Sequence, residues 1–86
     1  MSSYQVTWRL EAENSLASLW VADSADKEAI RRASVLIDRL LSTNPKLSGT
    51  EISEGLWGIN AHPLRAIFTV DDAARRVEVV VIKLLQ

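Results

Sequence analysis

Glu54 to Asp72 reads EGLWGINAHPLRAIFTVDD, and the reading of this stretch decides the fold. Leu56 to Ala61 and Leu64 to Val70 are two short apolar runs. They flank a break at His62-Pro63 and end on the acidic pair Asp71-Asp72. Runs of this length, rich in β-branched and aromatic residues and bounded by Gly, Pro and Asp, predict two strands joined by a tight bend and closed by a turn. One cation, Arg65, lies inside the second run.

Downstream, Asp71-Asp72-Ala73-Ala74-Arg75 predicts the turn and Arg76 to Leu85 a long strand. Strict alternation puts Val77, Val79 and Val81 on one face and Val80, Ile82 and Leu84 on the other. Apolar residues on both faces predict a central strand, or an edge strand buried at a dimer contact. Upstream, Glu51 to Glu54 reads as a short strand, and Lys46 to Thr50, holding Gly49, as a loop.

The first half of the chain changes period. Tyr4, Val6 and Trp8 alternate with Gln5, Thr7 and Arg9, which predicts a strand with one buried face. Ala12, Leu16, Leu19 and Trp20 recur at helical spacing, so a helix is expected over about Leu10 to Ala22. Ser24 or Asp26 is the expected N-cap of a second helix, with Asp26 and Glu28 in the first turn, where the helix dipole favours acids. That helix carries the apolar stripe Ile30, Ala33, Ile37, Leu40 and Leu41, with Leu36 at its edge. Asn44-Pro45 ends it, because proline disfavours helix in the preceding residue. A link of about three residues predicts that the two helices form an antiparallel hairpin. The order is strand, helical hairpin, then three to four antiparallel strands forming a twisted sheet: an α+β domain spanning residues 1–86.

Composition bounds the function. The chain has 86 residues, 48% apolar and 24% charged, with a formal net charge of −1 and no cysteine. A domain this small buries only about 60–65% of the surface its unfolded chain exposes, so packing, including a dimer interface, must carry its stability. Disulfides and thiolate zinc sites are excluded. No apolar run reaches the length of a membrane span, the N-terminus carries no signal-peptide pattern, and the cysteine-free composition suits a cytoplasmic protein. The charge balance argues against strong, sequence-independent nucleic-acid binding. No motif calls for a cofactor, and paired aspartates in a hairpin turn are expected from Asx chemistry rather than metal binding.

The layout resembles the RelE/ParE toxin superfamily of type II toxin–antitoxin systems, which includes plasmid stabilisation proteins of bacteria. The resemblance rests on YQVTW with the helix carrying Ala12 and Leu16, on Gly55-Leu56, Arg65 and Val70-Asp71-Asp72, and on Val77-Glu78-Val79. It covers nearly the whole chain. It implies a cytoplasmic toxin neutralised by a cognate antitoxin whose disordered segment wraps it. Members of the RelE branch cut mRNA on the ribosome with a few basic residues and usually a tyrosine or histidine near the C-terminus. Members of the ParE branch inhibit DNA gyrase without a known nuclease site. This chain departs from the RelE pattern at Gly58 and Asn60, where lysine or arginine is frequent, and at Leu84-Leu85, where a His-Arg pair is frequent. Its only tyrosine is Tyr4.

The candidate site residues follow. Arg65 can hold a phosphate through its planar fork, or pair with Glu78 on the adjacent strand and set register. His62, the only histidine, is either a nearby proton carrier or a solvated bend residue. Lys83 is either a second cation or a snorkelling side chain that shares the face of Val81. Arg31, Arg32 and Arg39 on the second helix are a solvated face or a guide for an acidic antitoxin or rRNA. Trp57, opposite in phase to Leu56, is expected to be exposed as an antitoxin or dimer contact.

Overall fold

The computed structural model describes residues 3–21 and 26–85. Strand β1 (Gln5–Trp8) leads into α1 (Leu10–Val21). Helix α2 (Lys27–Thr43) and a one-turn helix α3 (Pro45–Ser48) follow. Strands β2 (Thr50–Ser53), β3 (Leu56–Ala61), β4 (Leu64–Asp71) and β5 (Arg76–Leu84) complete the chain. The α+β class and every expected strand are present.

Asp26 caps α2 by accepting the Ala29 N–H at 3.1 Å, which satisfies one of the free donors of the first turn. The alternative cap, Ser24, and the expected helix end at Ala22 lie outside the described residues. The expected loop after Asn44 holds a surprise: Pro45 starts the short α3 at the position where its missing N–H costs nothing.

The sheet has five strands in the order β1-β5-β4-β3-β2. Neighbours β2 to β5 pair antiparallel, while β1 pairs parallel with β5, Val6 opposite Val77 and Trp8 opposite Val79. Strand β5 is therefore interior, as its apolar faces required. The helices cover one sheet face, and the core between them contains only apolar side chains among the described residues. It is built from Ala12, Ile30, Ala33, Ile37 and Leu41 of the helices against Ile59, Ala61, Leu64, Ala66, Phe68, Val77, Val79 and Ile82. Each fully buried Leu, Ile, Val or Phe contributes about 1.5–3 kcal/mol relative to exposure. Trp8, Leu16, Leu19 and Trp20 pack against its rim.

Strict alternation along β5 fails. Phe68 pairs with Val79 and Ile67 with Val81, so Val80 is an extra residue in the ladder, a β-bulge. The bulge reverses the phase. Val77 and Val79 point into the core, but so does Ile82, and Val81 is 42% exposed on the opposite face. Val81 and Lys83 do share a face, but it is the open face of the sheet, away from the helices.

Candidate functional site

The open face is lined in β4 by Arg65, Ile67, Thr69 and Asp71, because Leu64, Ala66 and Phe68 alternate with them into the core. Register then sets the neighbours of Arg65: Asn60 on β3 and Lys83 on β5. The expected partner Glu78 is opposite Thr69 instead. Its carboxylate accepts a hydrogen bond from the Arg9 guanidinium at 3.0 Å. The pairing of Arg65 with Glu78 is thus ruled out by four residues of register along β4.

What Arg65 does is different. Its Nη1 donates to the Asn60 amide oxygen at 2.8 Å. Its guanidinium lies over the backbone of Gly58, so that a Cβ built there would fall 2.9 Å from Nη2 and 3.3 Å from Cζ. Gly58 supplies the room and Asn60 the anchor, and both are the positions where the family resemblance led one to expect cations. Among the described residues Arg65 forms no ion pair. Arg65, Lys83, Leu84 and Leu85 line a shallow depression of about 380 Å³. An uncompensated planar cation beside a lysine can hold an oxyanion.

His62 is exposed in the β3–β4 bend, preceding Pro63 through a cis peptide bond, and does not line that depression. The structure thus brings Arg65 and Lys83 together and leaves His62 outside. Trp57 differs from its expectation. It pairs with Phe68 and is half-buried on the helix-facing side, packed against the core, with Lys46 Nζ 5.9 Å from its ring centroid. Its phase is set by Ile59 and Ala61, which must face inward.

On α2, Arg31, Arg32, Val35, Leu36 and Arg39 border an exposed depression of about 250 Å³. Arg31 donates to Glu28 at 2.7 Å, and this hydrogen bond holds the Glu28 carboxyl below its ordinary pKa. Val35 and Leu36 are exposed beside the arginines.

Sequence reading missed one cluster entirely. Asp72 accepts from the Tyr4 hydroxyl at 2.7 Å and pairs with Lys46. This ties the start of β1, α3 and the β4–β5 turn together. The hydrogen bond to Lys46, then that to Tyr4, holds the Asp72 carboxyl below its usual range, and Asp72 in turn raises the Tyr4 hydroxyl. Asp71, its neighbour, accepts the Ala74 N–H at 3.1 Å in the expected Asx arrangement.

No family model and no curated protein matches the chain. Solved structures match it along nearly all its length. A chain of the RelBE2 toxin–antitoxin complex from Mycobacterium tuberculosis has 16% identity and a TM-score of 0.82, covering 99% of this chain and 94% of that one. The chromosomal ParDE system from P. aeruginosa gives 16% identity and a TM-score of 0.71, over 98% of each chain. The isolated E. coli RelE toxin gives 16% identity and a TM-score of 0.55, over 98% of this chain and 86% of that one. The chain has the RelE/ParE-like fold seen in these structures. Among the described residues no helix is long and apolar enough to cross a membrane.

Proposed function

We propose that this chain is the toxin component of a type II toxin–antitoxin pair, silenced by a cognate antitoxin protein, and that it arrests growth by engaging the translation machinery or DNA gyrase through the open face of its sheet. The observation that carries the proposal is the end-to-end likeness to chains solved within toxin–antitoxin systems. The position of Arg65, anchored by a neutral amide and free of any carboxylate among the described residues, supports a role in holding an anionic group of the target.

Between cleavage and binding, the side chains favour binding. Cleavage of a phosphodiester needs a proton acceptor and a proton donor as well as cations. Arg65 and Lys83 fit the cationic role only, and His62 stands outside their depression. A toxin-fold domain without toxicity is the alternative reading, favoured by the departures at Gly58, Asn60 and Leu84-Leu85.

The test is induced expression in a bacterial host, with growth, mapped mRNA cuts and plasmid supercoiling measured together. Arrest with normal mRNA supports the binding mode, and altered supercoiling assigns it to gyrase. Arrest with cuts in ribosome-bound mRNA supports cleavage instead. Unimpaired growth with a folded product contradicts the toxin reading.

A further inference from the structure

We infer that the outward face of α2 is a self-association surface, on which a second copy of this chain docks its own α2 antiparallel across a two-fold axis. The inference goes beyond the proposed function and does not depend on it, because this face lies on the far side of the helical layer from the open face of the sheet.

The face follows from helical spacing. Ile30, Ala33, Ile37 and Leu41 are buried in the core, so at 3.6 residues per turn Glu28, Arg32, Val35 and Arg39 run along the opposite side. All four are exposed. Arg31 and Asp38 flank this line on one side and Leu36 flanks it on the other. Val35 stands between two depressions. One, of about 250 Å³, is bordered by the three arginines and Leu36. The other, of about 270 Å³, is bordered by Trp8, Leu16, Ser34 and Asp38. A ridge between two grooves is the form against which a second helix packs.

The charges decide the occupant. This face is not uniformly basic, since Glu28 and Asp38 stand among the arginines, and a polyanion laid along it would meet both carboxylates. Among the described residues Arg32, Arg39 and Asp38 form no ion pair, and Glu28 is held only by Arg31 of its own helix. A second copy lying parallel would set Glu28 on Glu28 and Arg39 on Arg39. An antiparallel copy, with the two-fold axis at the level between Ala33 and Ser34, instead sets each Glu28 level with Arg39 of the other. The two ion pairs then lie about 16 Å apart at 1.5 Å per residue. The same placement brings each Arg31 within about 3 Å of the level of Asp38 of the second copy. It also lays the aliphatic stem of each Arg32 beside the other Val35. Both copies use the same residues, as a closed two-fold contact requires.

The exposed aliphatic area is small. Val35 is 50% and Leu36 42% exposed, which places the contact in the small class, below about 1,200 Å² in total. The dimer is therefore weak, forms as concentration rises, and loosens with salt because its specificity is ionic.

The test is sedimentation velocity on the full chain, from micromolar to millimolar concentration, at low and high salt. The wild type passes from monomer to dimer, and its dissociation constant rises with salt. Arg39→Glu alone and Glu28→Arg alone each weaken association about tenfold or more, because each sets two like-charge pairs across the axis. An equal mixture of these two variants associates about as tightly as the wild type, since every contact between positions 28 and 39 is then of opposite sign. Circular dichroism shows whether both variants are folded.

A merely structural role for these side chains on their own helix gives no recovery on mixing, and that result overturns the inference. So does a wild type that stays monomeric throughout, or a dimer indifferent to both reversals, which would place the contact elsewhere. Failure is separable from failure of the toxin proposal. A toxic chain that remains monomeric loses only the self-association, and a harmless chain that dimerises through α2 loses only the toxicity.

Discussion

Gly49→Ala puts the packing of the sheet to a quantitative test, with Gly58→Ala as its internal comparison. Gly49 has φ −105°, an extended conformation open to alanine, so the backbone itself raises no objection. Space does. A Cβ at Gly49 would fall 2.7 Å from Phe68 Cζ, 3.2 Å from Cε1 and 3.0 Å from the carbonyl oxygen of Gly58. Phe68 is fully buried and its ring has nowhere to retreat, and the carbonyl belongs to the β3 backbone. Overpacking of this kind costs about 1–3 kcal/mol. The smaller entropy of the unfolded alanine chain returns about 0.4–1 kcal/mol. With a fully buried ring and a backbone carbonyl both in the way, the cost lies in the upper part of the overpacking range, about 2–3 kcal/mol, so the net loss is about 1–2.6 kcal/mol, and at about 4–8 °C per kcal/mol for a domain of this size the Tm falls by about 4–20 °C. Gly58→Ala meets only the tips of Arg65 and Ile52, at 2.9 Å each. Both can swing away, so its Tm stays within about 4 °C of the wild type. Thermal unfolding followed by circular dichroism measures both. A Gly49→Ala protein as stable as the wild type, or a Gly58→Ala protein that loses more, would refute the packing described for the two glycines.

Other outcomes follow from the same structure. Val79→Glu buries an unpaired charge and leaves the protein unfolded, whereas Val81→Glu, on the open face, leaves the far-ultraviolet spectrum and fold intact; equal damage from both would deny the bulge at Val80. Spectrophotometric titration of Tyr4 gives a midpoint above its ordinary 10.0, and Asp72→Asn brings it down, because the hydrogen bond to the carboxylate holds the phenol protonated. Since the folded Asp72 carboxyl lies below its ordinary pKa, the latch it forms is fully present above the ordinary carboxylate range and is lost as the pH falls through the lowered value. Asp72→Asn should therefore flatten the acid limb of the stability profile, and an unchanged limb would count against the latch.

Much of the fold was legible because each signal was local. The HP break, the DD turn and the stripe Ile30, Ala33, Ile37, Leu41 each follow from chemistry within a few residues. The phase of β5 was not legible. Val79, Val80, Val81 and Ile82 are all apolar, so nothing in the pattern marks where one residue is skipped, and only the pairing of Phe68 with Val79 and Ile67 with Val81 reveals it. Trp57 was ambiguous for a related reason: Leu56 and Trp57 are both apolar and Gly58 has no side chain, so the phase had to come from Ile59 and Ala61. At the site, the isolation of Arg65 in an apolar strand was visible, but its partner was not. Glu78 looked available until register assigned it to Arg9, and Asn60 drew attention only as an absent cation. The Tyr4–Asp72–Lys46 cluster joins three segments far apart in sequence, which no spacing rule brings together.

The most direct measurement compares growth after induction of the wild-type chain and of Arg65→Ala, with both proteins shown by circular dichroism to be folded at equal levels. Arg65 is half-buried on the open face, out of phase with the buried Leu64, Ala66 and Phe68 of the core, so the variant keeps its fold. The proposed function predicts that the wild type arrests growth and the variant does not. Arrest that persists undiminished in a folded Arg65→Ala protein would contradict a toxin that works through the open face of the sheet.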